Sequence, residues 1–221
     1  MKVLILDYKC GNIGCIKNIF QYLESKVLIE SVKSFKFIDP EEFNIVVLPG
    51  VGNFQHASNY FQENIEINEF KKWILKNKKV VCICLGFQLL FSESEETDNS
   101  NILSKGLDFI DGGVCSLSNN KNLNLNIGWC KSNFKTLIDD KFDLKNKLDR
   151  HYFYHMHSYG VETKNIINNK KINWYTSSTH NSSGKEFISA LNFQNVYGFQ
   201  FHPEKSGQNG LALIKKIIQY G

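Results

Sequence analysis

A chain of 221 residues, 42% hydrophobic and 22% charged, holds enough material for one well-filled α/β domain but not for two independent cores. Its formal net charge of +4 comes from scattered lysines, which excludes the basic stripe of a nucleic-acid binder, and no apolar run is long enough to span a bilayer. The 6 cysteines (Cys10, Cys15, Cys82, Cys84, Cys115 and Cys130) have neither disulfide-scaffold spacing nor paired Cys-x-x-Cys units, so they read as reduced thiols of a cytoplasmic protein.

Met1-Lys2 runs straight into an apolar segment with no secretory leader, and Lys2–Asp7 reads as the first strand. Ile13, Ile16, Phe20 and Leu23 recur at helical spacing and predict a helix over Asn12–Leu23 with one buried face. Asn44–Leu48 is an apolar strand stopped by Pro49-Gly50. A helical region follows, with Phe70, Trp73 and Ile74 on one face. Lys79–Ile83 is the next strand, and Phe87–Phe91 is expected to open another helix. This alternation is the pattern of a parallel sheet. Beyond it come short β-like runs at Val114–Leu117, Tyr152–Met156, Trp174–Thr176, Phe187–Asn192 and Val196–Phe201, parted by polar loops such as Ser118–Asn124 and His180–Lys185. An amphipathic helix over Leu211–Ile218 closes the chain. The expected architecture is a single domain over residues 1–221. Its sheet is doubly wound, flavodoxin-like and mostly parallel, with helices on both faces and a small antiparallel β extension.

Three segments carry chemistry. The buried run Val80–Ile83 leads into Cys84, with Gly86 two positions on; a strand, a nucleophile and a tight turn into a helix make a nucleophile elbow. There the helix N-terminus favours a thiolate; the alternative is a cysteine packed as a small hydrophobe. His202 and Glu204 lie two apart, so on a strand both face one way, and an imidazole oriented by a carboxylate is what a cysteine nucleophile requires. An ordinary strand end with a solvated His and Glu is the other reading. Pro49-Gly50-Val51-Gly52 is either a plain strand-end turn or a loop that aims amides at an oxyanion. His151, His155 and His157 share a strand face, but with no acidic partner or fourth ligand nearby no metal is expected there, nor any other cofactor.

Read in order, Pro49–Gly52, Cys84-Leu85-Gly86-Phe87-Gln88-Leu89-Leu90-Phe91, Gly128-Trp129, His157-Ser158-Tyr159 and Gly198-Phe199-Gln200-Phe201-His202-Pro203-Glu204-Lys205-Ser206 resemble the class I glutamine amidotransferases. Within that family they are most similar to the glutaminase subunits of imidazole glycerol phosphate synthase, as are Asp7-Tyr8…Gly11-Asn12 and Ser94-Glu95-Glu96. The resemblance implies hydrolysis of glutamine, with the ammonia channelled to a separate barrel-shaped synthase subunit in histidine biosynthesis. It implies that Cys84 attacks the γ-amide, His202 shuttles protons and Glu204 orients His202. Leu85 and an amide of Gly50, Val51 or Gly52 would hold the oxyanion; Gln88, Glu96, Ser158 and Tyr159 would hold glutamine; Asn12 and Lys205 would lie near the partner. The chain departs from the family pattern at Cys82 and Lys9, which replace glycines, and at Cys130, which replaces an asparagine. A divergent copy feeding ammonia to a synthase that amidinates a surface-polysaccharide sugar would carry the same glutaminase half. Cysteine hydrolases on a similar sheet lack the His-Pro-Glu ending.

Overall fold

The computed structural model describes residues 1–98, 102–118, 125–136, 151–166 and 169–219. Val3, Leu4, Ile5 and Leu6 are all fully buried, because β1 (Lys2–Asp7) lies inside a sheet covered on both faces. β1 pairs in parallel with β2 (Lys26–Ser31) and β3 (Ile45–Leu48). The parallel half continues from β3 to β4 (Val80–Ile83) and from β4 to β14 (Val196–Phe199). Beyond β14 the pairing turns antiparallel, through β13 (Glu186–Phe193), β12 (Trp174–Thr179) and β9 (Asn133–Thr136), which completes an 8-stranded sheet.

Strand alternation sends side chains to two separate cores. Val3, Ile5, Val47 and Val81 meet Ile16 and Phe20 of α1 (Ile13–Tyr22) and Leu213 and Ile217 of α5 (Gly207–Gln219). Leu4, Leu6, Val46 and Val80 meet Phe54 and Phe61 of α2 (Phe54–Asn64) and Phe70 and Trp73 of α3 (Ile67–Lys76). Helices therefore cover both faces, as expected. Lys79 reaches under α5 and donates from Nζ to the carbonyls of Ile217 and Ile218 at 2.6 and 3.0 Å, which satisfies the end of that helix.

The expected helix at Phe87–Phe91 is corrected. Only one turn forms, α4 (Leu85–Gln88), and the chain then enters β5 (Phe91–Ser94). Phe91 pairs with Ile110 in a second sheet of β5, β6 (Ser104–Lys105), β7 (Ile110–Ser116) and β11 (Tyr159–Gly160), and that pairing outcompetes further helix. β2, β6, β8 (Asn126–Lys131), β9 and β11 also lack a sequence prediction. β2 is a half-exposed edge, and β8 pairs with β10 (Tyr152–His157) in a separate ribbon. The predicted loop Ser118–Asn124 lies, beyond Ser118, outside the described residues; His180–Lys185 is a turn closed by the His180 amide on the Lys185 carbonyl at 2.8 Å.

The sheet ends the predicted strand Val196–Phe201 at Phe199. Pro203–Lys205 is a 3-10 turn, with Pro203 at its first position where a missing amide costs nothing. α5 packs on this turn so closely that a Cβ on Gly210 would lie 1.9 Å from the Pro203 carbonyl oxygen. Nothing lies within 4 Å of a Cβ built on Gly14. Gly210→Ala is therefore expected to lower stability in urea unfolding by about 1–3 kcal/mol, whereas Gly14→Ala changes it by no more than about 0.5 kcal/mol.

Candidate active site

Open α/β sheets collect their ligands beyond the carboxyl ends of the parallel strands, where the strand order reverses. Here those ends deliver Tyr8 after β1, Pro49–Gly52 after β3, Cys84 after β4 and Gln200–Glu204 after β14. Cys84 has φ 48° and ψ −105°, a conformation that side-chain-bearing residues rarely adopt. Its amide donates to the Phe199 carbonyl at 2.7 Å, and its carbonyl accepts from the Gln88 amide at 2.9 Å. Gly50 and Gly86 make the turn possible. A Cβ on Gly86 would sit 2.2 Å from the Leu48 carbonyl oxygen, and one on Gly50 would sit 2.3 Å from the Gly86 nitrogen. The elbow expected from the sequence is present, but the helix behind it is a single turn, so its dipole is that of one turn only.

His202 and Glu204 meet without sharing a strand face. The 3-10 turn folds the carboxylate back onto the ring, and Nδ1 lies 2.8 Å from Glu204 Oε1 with both side chains 1% exposed. The Ser206 hydroxyl donates to the His202 carbonyl at 2.6 Å, and Phe201 beside it stacks on Phe153 with centroids 4.1 Å apart. Burial disfavours the imidazolium. Cys84 and Glu204 outweigh that effect together, by hydrogen bonding and charge, and push the His202 pKa up to about 10. Nε2 makes no well-aligned hydrogen bond, so the thiol acts on the ring by proximity rather than through a linear contact.

A cavity of ≈ 210 Å³ opens over the sulfur. Its walls bring together Cys84, Leu85, Val51, Gly52, Gln88, Glu96, Ser158 and Tyr159, all predicted from the sequence. Gly50 lies below, against Gly86. Leu125, Met156 and His157 complete the lining and were not predicted; the exposed Leu125 offers no pattern by which to find it. Glu96 accepts from the Phe54 amide at 3.0 Å at the start of α2, yet burial holds its carboxyl above the usual range, only partly offset by that amide and by His56. The Leu85 amide, expected to face an oxyanion, donates instead to the Gly50 carbonyl at 3.4 Å. Asn12 and Lys205 are partly buried, at the N-terminal boundary of α1 and on the 3-10 turn against which α1 packs.

His155 and His157 are buried, with Nδ1 on the carbonyls of Phe153 (3.0 Å) and Tyr159 (2.8 Å). Burial lowers the His155 pKa to about 4 and depresses that of His157. Among the described residues no group of three or more His, Cys, Asp or Glu side chains is placed to hold a metal ion.

The sequence model of the class-I glutamine amidotransferases matches residues 4–219. This chain belongs to the class-I glutamine amidotransferases. Among its relatives, imidazole glycerol phosphate synthase subunit HisH of Chlorobaculum tepidum is 32% identical, over 99% of this chain and 100% of that one. The subunit of the same name from Sulfurimonas denitrificans is 32% identical, over 99% and 98%. The fold is shared with PurLQS of Thermotoga maritima, at a TM-score of 0.66 and 15% identity over 99% of this chain and 98% of that one. A glutamine amidotransferase from Thermotoga maritima superposes at a TM-score of 0.55 with 16% identity, over 99% and 84%.

The amidotransferase absorbs its three departures from the family pattern locally. Lys9 sits at φ 66°, in the left-handed region that favours glycine, and its amide is held by Asp7 Oδ1 at 2.7 Å. Cys82 is enclosed in β4, where burial pushes its thiol far up and makes it a small inert hydrophobe. The buried Cys130 thiol lies against Asn126 and Asn181, 3.9 and 3.6 Å from their Oδ1 atoms.

A histidine whose pKa is raised on folding adds stability below its unfolded value near 6.5, and that stability is lost as pH climbs through the folded value of about 10. Glu204→Gln removes one of the groups that raise it. Urea unfolding followed from pH 6 to 10 is expected to show a smaller loss of stability across this window in the variant than in the wild type.

Proposed function

We propose that this chain is the glutaminase subunit of an imidazole glycerol phosphate synthase, with its whole length acting as one amidotransferase unit. Full-length relatives bearing that subunit's name support the reading. The observation that carries it is Cys84 in a strained elbow beside a Glu204-held His202, under a cavity that also contains Glu96. A carboxylate raised by desolvation gains from an ammonium partner, so Glu96 suits the α-amino group of glutamine. Gln88, Ser158 and Tyr159 fix the rest of the substrate.

In this reading the proton of Cys84 resides on His202. The thiolate attacks the γ-carbonyl carbon; as the C–N bond breaks, His202 gives its proton to the departing ammonia and a thioester is left on Cys84. Water, deprotonated by His202, then releases glutamate and restores the pair. The Leu85 amide can serve the oxyanion only after the Gly50 carbonyl has moved off it, so the site as described is at rest. Val51 and Gly52 stand ready to contribute a second amide.

The ammonia passes to a barrel-shaped synthase subunit and enters the imidazole ring in histidine biosynthesis, in the cytoplasm; all 6 thiols are free, as a reducing compartment maintains them. In water ammonia would be protonated at neutral pH and lose its nucleophilicity, so the partner must cover the exit. Ile127, Trp129 and Tyr152 on the β8–β10 ribbon are about half exposed, and the neighbouring Leu125 and Met156 line the cavity mouth. We assign this apolar face to the partner, with Asn12 and Lys205 at its border.

Cys84→Ala is expected to abolish glutamine hydrolysis while leaving partner docking intact; hydrolysis by this variant would overturn the reading. Glutamate release should also be low for the chain alone and rise when the synthase subunit and its acceptor are added. Trp129→Ala is expected to weaken docking about tenfold or more in calorimetric titration, the cost of losing a central aromatic anchor, with an unchanged melting temperature.

A further inference from the structure

Gln200 lies outside the roles assigned so far, yet it is fully buried against the nucleophile. Its Nε2 is 3.7 Å from Cys84 Sγ, while its Oε1 lies 3.1 Å from Nε2 of Gln88. Gln88 Nε2 is also 2.8 Å from the backbone carbonyl of Tyr159. An amide oxygen and nitrogen are told apart by their partners, and here the partners leave no freedom. The Tyr159 carbonyl only accepts, so Gln88 must turn its NH₂ inward. That NH₂ meets Gln200, whose oxygen must therefore be the atom facing it. Gln200 consequently has its NH₂ on the sulfur.

We infer that Gln200 is a catalytic residue: its side-chain N–H donates to Cys84 Sγ, stabilises the thiolate and aims its lone pairs, with its orientation set by the Tyr159 carbonyl through Gln88. This rests on Cys84 being the nucleophile. A donor to sulfur favours the charged form, and it complements the imidazolium of His202 from another direction. The chain of amides also sets the polarity of the cavity. With both hydrogens of Gln88 engaged, the free atom of its side chain is Oε1, an acceptor matched to an N–H of the substrate carboxamide.

The test is the pH dependence of Cys84 alkylation by iodoacetamide in the full chain without glutamine, with the modified cysteine identified by peptide mass spectrometry. The titratable groups around the sulfur are His202, with Glu204 behind it, Tyr8 beyond β1, Cys82 on β4 and, around the cavity, Glu96, His157 and Tyr159, all retained in the variants. Gln200→Met is expected to raise the alkylation midpoint by about one pH unit, a tenfold shift of the thiol–thiolate equilibrium toward the thiol. It should lower kcat for glutamine by about tenfold or more while changing KM less than about threefold. Should Gln200→Met fail to fold, Gln200→Asn retracts the amide by one methylene and must show the same displacement. A midpoint equal to that of the wild type in a folded variant would overturn the role of Gln200 and leave that of Cys84 standing. Only glutamine hydrolysis by Cys84→Ala would remove both.

Discussion

The site depends on the close approach of two backbone segments. The chain leaving β3 and the chain leaving β4 come together at Gly50 and Gly86, where neither position has room for a Cβ. That contact forces Cys84 into a positive-φ turn and lifts its side chain out of the sheet, away from the enclosed position that Cys82 occupies two residues earlier. Two cysteines two residues apart thus have opposite fates. Cys82 is sealed among apolar neighbours, while Cys84 faces an imidazole, an amide and a cavity. The strain at the elbow, of order 1–3 kcal/mol, persists because the buried parallel strands on either side over-determine it.

A second constraint works from the opposite end of the chain. β14 lies beside β4, so the residues after it emerge next to the elbow, and α5 then clamps the Pro203–Lys205 turn through Gly210. His202 and Glu204 are fixed less by their own hydrogen bond than by what encloses them: the Phe153 stack on Phe201, the Ser206 hydroxyl and the Lys79-capped helix. An imidazole held without freedom can have its charge state set by two neighbours, and the raised pKa of His202 is the electrostatic outcome of that immobility.

How much of this was legible in the sequence follows from the range of the interactions. Val80–Ile83 could be read because a fully buried parallel strand is a continuous apolar run. The elbow could be read because Gly86 lies within two residues of the sulfur. The pairing of His202 with Glu204 was foreseen, but from the wrong backbone, since strand and 3-10 turn both bring those two side chains together. β8 was missed because Gly128 sits at φ 129° within it and its outer face is apolar and exposed, which erases the alternation. α4 was drawn too long because nothing local announces that Phe91 will pair with Ile110. The part played by Gln200 is a matter of amide orientation, settled by a carbonyl on a different strand.

A thiolate, a charged imidazole and a walled cavity would hydrolyse glutamine wastefully if every donor were already in place. The described arrangement lacks one feature: the Leu85 amide is engaged by the Gly50 carbonyl rather than free for an oxyanion. The segment that blocks it, Pro49–Gly52, is held at both ends. The Tyr8 hydroxyl donates to the Pro49 carbonyl, and Asn53, directly after Gly52, caps α2 and donates to Glu96 Oε1 at 3.4 Å. Between those anchors, glycines allow a single peptide to rotate and turn the Gly50 carbonyl while the Cα atoms packed on the elbow keep their places. The loop faces the cavity, whose opposite wall continues into the apolar β8–β10 ribbon. A partner seated on that ribbon would touch the cavity rim without touching Cys84 or His202. Control of the chemistry then requires no movement of the catalytic groups, only a turn of the Gly50 carbonyl that releases the Leu85 amide, so the fixed elbow carries the donor and the glycine loop carries its block.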